Sequence, residues 1–230
     1  HAKEFAMNAL FDQPEVQEFY DKHYSTLMSE SDRGCILLGV SILDQQLDLL
    51  FQKIIPEDTS KTRRKKIFDS KGAFGNIASK LDIAYVCRIL PLDLVDAIKE
   101  LRRTRNKLAH QTSPFVISDN LEFIYNVIKK LEVKGCALTA LSEMSLQIVR
   151  DGFTNKLLEV ENPFPDNGGE KLFNSAEEIA DYVGQKPDIA DKLTELRIRT
   201  LFVLSVMLLN ALIIFHRNQA LERLTSNSDA

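Results

Sequence analysis

Apolar residues recur at three- and four-residue intervals through most of the chain, the spacing that lines one face of an α-helix. Between Cys35 and Ile55, Leu38, Ile42 and Leu49 follow it, Asp44, Gln45, Gln46, Asp48 and Gln52 supply the polar side, and Pro56 stops the run by withdrawing a backbone donor. Pro14 to Met28 has helix-forming composition, and Ser29-Glu-Ser-Asp32 offers caps for the helix that follows. Glu57 to Lys66 is charged, and its basic run Lys61-Thr-Arg63-Arg64-Lys65-Lys66 fits a solvated loop or helix start.

A Gly-flanked turn, Gly72-Ala-Phe-Gly75, leads into an expected helix from Asn76 to Leu90 with apolar residues at 77, 81, 84, 85 and 89. Pro91 then opens a helix from Leu92 to Ala109. Leu94, Ile98, Leu101, Arg105 and Leu108 lie along one side of it, and Gln-Thr-Ser113-Pro114 breaks it. Asn120 to Lys130 and Val133 to Val149 predict two more helices. Glu161-Asn-Pro-Phe-Pro-Asp-Asn-Gly-Gly169 is the strongest breaker cluster and predicts a loop. Ser175-Ala-Glu-Glu178 has the form of a capping box, and Asp188 to about Leu224 reads as a long, mostly apolar helix.

Composition supports an all-α fold. The 230 residues are 44% hydrophobic with 9 Gly, 7 Pro and no Trp, which favours helix and suffices for a sizeable core. The expected organisation is a helical bundle over 1–160, a loop over 161–174, and C-terminal helices over 175–230 packing on the same bundle. A formal charge of −4 argues against wholesale wrapping of nucleic acid and leaves room for a local basic patch. Cys35, Cys87 and Cys136 each sit among apolar or small neighbours, so all three are expected to be buried, reduced thiols in a reducing, cytoplasmic setting. The four His residues form no cluster with ligand spacing, and neither a metal nor a cofactor is expected.

His1 to Asn8 is polar and mixed, unlike a secretory leader. The membrane candidate is Leu201 to Phe215, shorter than the ~20 residues of a spanning helix and interrupted by Ser205 and Asn210, so a buried helix is the expectation.

One constellation carries chemistry: Arg102-Arg103-Thr104-Arg105-Asn106-Lys107-Leu108-Ala109-His110 at the end of a helix. Asn106 and His110 are one turn apart, and Arg105 is displaced from His110 by about 140° at 100° per residue, so all three can border one cleft. An imidazole can exchange protons near neutral pH while a guanidinium holds a phosphate bidentately and stabilises charge in the transition state. That pairing can cleave RNA without a metal, with the ribose 2′-hydroxyl as internal nucleophile. Arg102, Arg103 and Lys107 are the accompanying RNA-binding candidates. The structural alternative is that Asn106 and His110 cap the helix end while Arg105 pairs with a carboxylate such as Asp32 or Asp44.

Arg105-Asn-Lys-Leu-Ala-His110 resembles the R-N-x-x-A-H signature of the HEPN superfamily. A broader stretch is similar, in order and spacing, to the mannitol operon repressor family, a HEPN-like helical group. It takes in Ser31-Asp-Arg-Gly-Cys-Ile, Leu43-Asp44, Leu47 to Leu50, Gly72-Ala-Phe-Gly75, Lys80-Leu-Asp-Ile-Ala-Tyr85 and the motif itself. The resemblance covers about Ser31 to Phe115 well, the rest weakly. It implies an antiparallel helical bundle that dimerises with its R-N-x-x-A-H helices facing each other. Some HEPN relatives are metal-independent endoribonucleases of toxin or antiviral systems, and others are non-catalytic. The chain departs from the pattern at Thr112, where HEPN toxins of nucleotidyltransferase-paired systems carry Tyr, and it shows no helix-turn-helix with a basic recognition helix.

Other catalytic templates are missing from the sequence: there is no phosphate-cradling Gly-rich loop and no nucleophile elbow. Glu177-Glu178 and the Asp188/Asp191 pair read as solvated faces. Two functions follow as expectations. One is an RNA-directed effector with a composite Arg105/Asn106/His110 site across a homodimer, held in check by an antitoxin or other regulatory protein. The other is a non-catalytic transcriptional regulator, akin to the mannitol operon repressor, acting through protein contacts. A membrane-associated adaptor using Leu201 to Phe215 is the third and least favoured reading.

Overall fold

The computed structural model describes residues 10–131, 137–164 and 170–228. Nine helices span them: α1 (Pro14–Ser29), α2 (Asp32–Ile54), α3 (Lys61–Phe68), α4 (Ile77–Val86), α5 (Leu92–Ala109), α6 (Leu121–Leu131), α7 (Ala137–Glu159), α8 (Ala176–Gly184) and α9 (Pro187–Ser228). Among the described residues there is no strand, and the all-α expectation holds. The breaker cluster carries one isolated antiparallel bridge, Glu161 with Lys171, beside bonds from Asn162 N–H to Glu170 O and from Leu172 N–H to Val160 O, both 2.9 Å.

Side-chain caps set several helix starts. The Ser31 hydroxyl accepts from Gly34 N–H at 3.1 Å, Asn76 Oδ1 from Ser79 N–H at 3.0 Å, and the Ser175 hydroxyl from Glu178 N–H at 3.2 Å. Glu178 completes the box by reaching back to the N–H of Asn174, one residue earlier than the usual pairing.

The core is organised around α9, which packs against α1, α2, α5, α6, α7 and α8. Val203, Leu204, Leu209, Ala211 and Ile213 are wholly buried on it. Gly39 on α2 lets the two longest apolar faces approach: a Cβ there would stand 3.2 Å from a Val206 methyl. α5 packs on α2 and α6, so the expected candidate helix is anchored along most of its length.

Polar groups inside the bundle are mostly paired, as burial requires. Lys80, 3% exposed, is held by Asp44 at 2.6 Å and Asp48 at 2.7 Å. The buried Arg217 guanidinium bonds Glu15 of α1 and Asn218. Asn210 donates to Val206 O at 2.8 Å, and Ser205 to Leu201 O at 2.7 Å, each one turn back along α9.

The two polar residues that interrupt the apolar run therefore each donate a hydrogen bond within the helix, and the fifteen-residue run lies inside a 42-residue helix. By length and composition both α2 and α9 can cross a membrane, with mean hydropathies of 1.4 and 2.3 in their most apolar windows. In this fold 56% and 72% of those windows are buried against other helices.

Three expectations need correction. α4 ends at Val86 rather than Leu90, because Arg88 adopts a left-handed φ of 55° and the N–H groups of Ile89 and Leu90 turn back to Ala84 O. Tyr85 and Cys87 are consequently exposed, and Cys87 is not the buried thiol its neighbours suggested. α7 runs past Val149 to Glu159, since Gly152 faces open space and costs too little to end it. Val133, Cys136 and residues 165–169 lie outside the described residues, so the expectations on them stay as stated.

Candidate functional site

α5 forms because its apolar residues share one arc and Pro91 leaves no interior donor unsatisfied at its start. Leu94, Ile98, Leu101 and Leu108 are buried on α2, α6 and α9. Arg105 falls at the centre of the same arc, between Leu101 and Leu108, yet its side chain is exposed. The apolar contact expected along that whole side therefore breaks at Arg105 and resumes at Leu108.

Arg105 Nη1 donates to Asn106 Oδ1 at 3.2 Å, and among the described residues the guanidinium makes no ion pair. The carboxylates suggested as its partners are engaged elsewhere. Asp44 holds Lys80, and Asp32 accepts the N–H of Ile117 at 2.7 Å and faces Arg199 at 3.4 Å. Pairing of Arg105 with either is thus overturned, and a positive charge is left on the surface.

His110 is the residue after the last helical turn, with φ −104° and ψ −2°, and its N–H reaches Lys107 O at 3.4 Å. Near-helical dihedrals preserve the one-turn relation with Asn106, about 40° apart around the axis. The imidazole is exposed, Asn106 half-buried. Of the accompanying cations, Arg103 pairs with Glu100 at 3.0 Å, Arg102 is half-buried and Lys107 exposed. Arg105, Asn106, Lys107 and His110 thus lie within the last turn and a half of one helix end, three of them exposed and Asn106 half-buried.

The chain beyond His110 is tied down. Arg33 Nη2 donates to Ser113 O at 2.9 Å, and the Asp32 carboxylate bridges Ile117 N–H to Arg199, so the start of α2 and the middle of α9 together fix the exit from α5. Sequence reasoning weighed Asp32 as a helix cap and as a partner of Arg105 and missed this latch, whose partners are 85 residues apart in the hydrogen bond. It also passed over Lys80, although a lysine inside the apolar arc of Ile77, Leu81 and Ala84 is itself a signal of a buried ion pair.

The chemistry carried by this helix end is that of an exposed imidazole and an exposed guanidinium that makes no ion pair among the described residues, the latter a group suited to taking a phosphate. Among the described residues no group of three or more His, Cys, Asp or Glu is placed to hold a metal ion. Compared with known proteins, the chain is matched by no family model, no curated protein and no solved structure.

Proposed function

We propose that the protein is a HEPN-type effector acting on RNA, a metal-independent endoribonuclease whose site combines Arg105, Asn106 and His110 from two copies of the chain. The observation that supports this reading most is the exposed guanidinium of Arg105, which makes no ion pair among the described residues, bonds the adjacent Asn106, and is set within the apolar arc of α5 five residues before His110. A cation held there at the expense of apolar contact suits a phosphate-binding role better than a folding role.

In the proposed reaction one imidazole removes the proton of a ribose 2′-hydroxyl, which attacks the adjacent phosphorus. The 5′-oxygen leaves with a proton from the second imidazole, giving a 2′,3′-cyclic phosphate and a 5′-hydroxyl end. Arg105 stabilises the charge on the non-bridging oxygens, Asn106 orients that guanidinium, and Arg102, Arg103 and Lys107 draw in the strand. The homodimer, a cytoplasmic setting and restraint by an antitoxin protein belong to the same proposal. The competing regulator reading draws on the net charge of −4, which disfavours extensive phosphate contact.

The test is cleavage of total cellular RNA in EDTA by the parent protein, His110→Ala and Arg105→Ala. Both positions are exposed, so melting temperatures should stay within the range of ~0.5 kcal/mol surface changes. Cleavage should fall by ~10²–10⁴ when the acid/base is removed. RNA left intact by the parent chain, purified free of other proteins, refutes the ribonuclease reading and leaves the regulator.

A further inference from the structure

At the Ile54 end of α2, about 33 Å along a 23-residue helix from the Asp32 end, the surface opens into a cavity of about 410 Å³. That volume falls within the range of small-molecule sites. Phe51, Ile54, Phe74, Ile83 and Ile89 form its walls, with the Phe51 and Phe74 rings stacked at 4.0 Å. Ile54, Phe74, Ile83 and Ile89 are half-buried, leaving apolar surface open to the cavity.

The lining also includes three exposed, chemically distinct groups: the Cys87 thiol and the guanidiniums of Arg88 and Arg223. Among the described residues neither guanidinium makes a hydrogen bond or ion pair. Arg88 is also the one described non-glycine residue with positive φ, a conformation most often kept where it positions something. Two unpaired cations thus border an apolar hollow.

We propose that this cavity binds a single-chain aliphatic carboxylate, its alkyl chain among Phe51, Ile54, Phe74, Ile83 and Ile89 and its carboxylate between Arg88 and Arg223. The cations explain why the ligand is anionic, since a neutral hydrocarbon leaves both guanidiniums without a partner. The volume accommodates one chain rather than the paired tails of a bilayer lipid. Cys87 lies under the bound chain and reports its presence. This site is independent of the proposed RNA chemistry, which sits at the other end of α2.

The experiment titrates the full chain with hexanoate, octanoate, decanoate and decanol by calorimetry. In parallel, peptide mass spectrometry follows iodoacetamide alkylation of Cys87. Affinity should rise about fourfold for each added methylene, and so about fifteenfold from octanoate to decanoate. Decanoate should slow Cys87 alkylation with the same midpoint. Arg88→Asn, which tolerates the left-handed backbone, and Arg223→Gln should each weaken decanoate about tenfold without weakening decanol. Both positions are exposed, so neither variant depends on repacking the core.

Ala220→Phe, which fills the cavity from α9, should abolish binding. Decanol binding as tightly as decanoate, affinity insensitive to chain length, or Cys87 alkylation unchanged at saturating decanoate overturns the proposal. So does binding to anionic phospholipid vesicles that free decanoate fails to compete away, which would make a membrane lipid the occupant.

Discussion

Replacing Asp32 with Ala removes more than a surface charge. Its carboxylate accepts the Ile117 N–H at 2.7 Å, faces Arg199 Nη1 at 3.4 Å, and lies in the first turn of α2. The pair is only 20% and 22% exposed. A hydrogen bond to a charged partner is worth ~1.5–3 kcal/mol, and an acid at a helix N-terminus adds ~0.3–1 kcal/mol. Truncation also takes the carboxylate from Arg199, leaving its Nη2 bond to Leu27 O at 3.4 Å and an Nε that already has no partner among the described residues. The sum is about 3 kcal/mol, or a fall in melting temperature of roughly 6–12 °C at 2–4 °C per kcal/mol for a chain of this size.

Asp82 supplies the control: it pairs with Lys99 at 2.8 Å, but the two side chains are 64% and 33% exposed, so Asp82→Ala should cost under ~1 kcal/mol. The assay is thermal unfolding followed by far-ultraviolet circular dichroism, with amide exchange reporting on the backbone from Gln111 to Ile117. Equal melting shifts for the two variants, or an Asp32→Ala protein melting within 3 °C of the parent by roughly the same scaling, would refute the reasoning.

Acid should destabilise the fold in two steps. Desolvation, with Lys22 nearby, lowers the His23 pKa from 6.5, so its contribution is present above that value and lost as pH falls through the depressed folded pKa. Glu15 is desolvated by burial, which pushes its pKa up, but its bonds to Arg217 prevail and hold it below 4.5; its contribution exists above 4.5 and disappears at lower pH. Melting temperature against pH should therefore decline below about 6.5 and again below about 4.5, and Glu15→Gln should flatten the second decline. In native protein iodoacetamide should modify the exposed Cys87 rapidly and Cys35 slowly, because Cys35 is fully buried and desolvation pushes its thiol up to about 12. Equal rates at the two thiols would contradict that contrast.

The sequence is most legible where local rules and tertiary packing agree. Pro91, the Leu94–Leu108 arc and the Gln-Thr-Ser-Pro break place both ends of α5, and Ser31, Asn76 and Ser175 act as caps because their short side chains reach the N–H three residues on. Legibility fails where the outcome depends on a distant partner. Nothing near Tyr85 says that Arg88 will turn left-handed and expose Cys87. The pattern that places a helix end at Val149 does not show that α7 continues through Gly152 to Glu159. The R-N-x-x-A-H residues were identifiable as neighbours, but whether Arg105 would find Asp32 or Asp44 was a question of tertiary placement, and the fold answers it by giving those carboxylates to Arg199 and Lys80.

The central position of α9 has a consequence for the chain as it leaves the ribosome. α2 presents Ile36, Leu43 and Leu47 to a bundle organised around α9, yet roughly 130 residues separate Ile54 from Pro187. At ordinary synthesis rates the apolar faces of α1 and α2 wait on the order of ten to thirty seconds for that partner. Each nascent molecule thus passes through a stage that offers sticky surface to chaperones and to neighbouring chains. Stalled or prematurely ended translation before α9 should yield aggregate rather than a smaller folded protein.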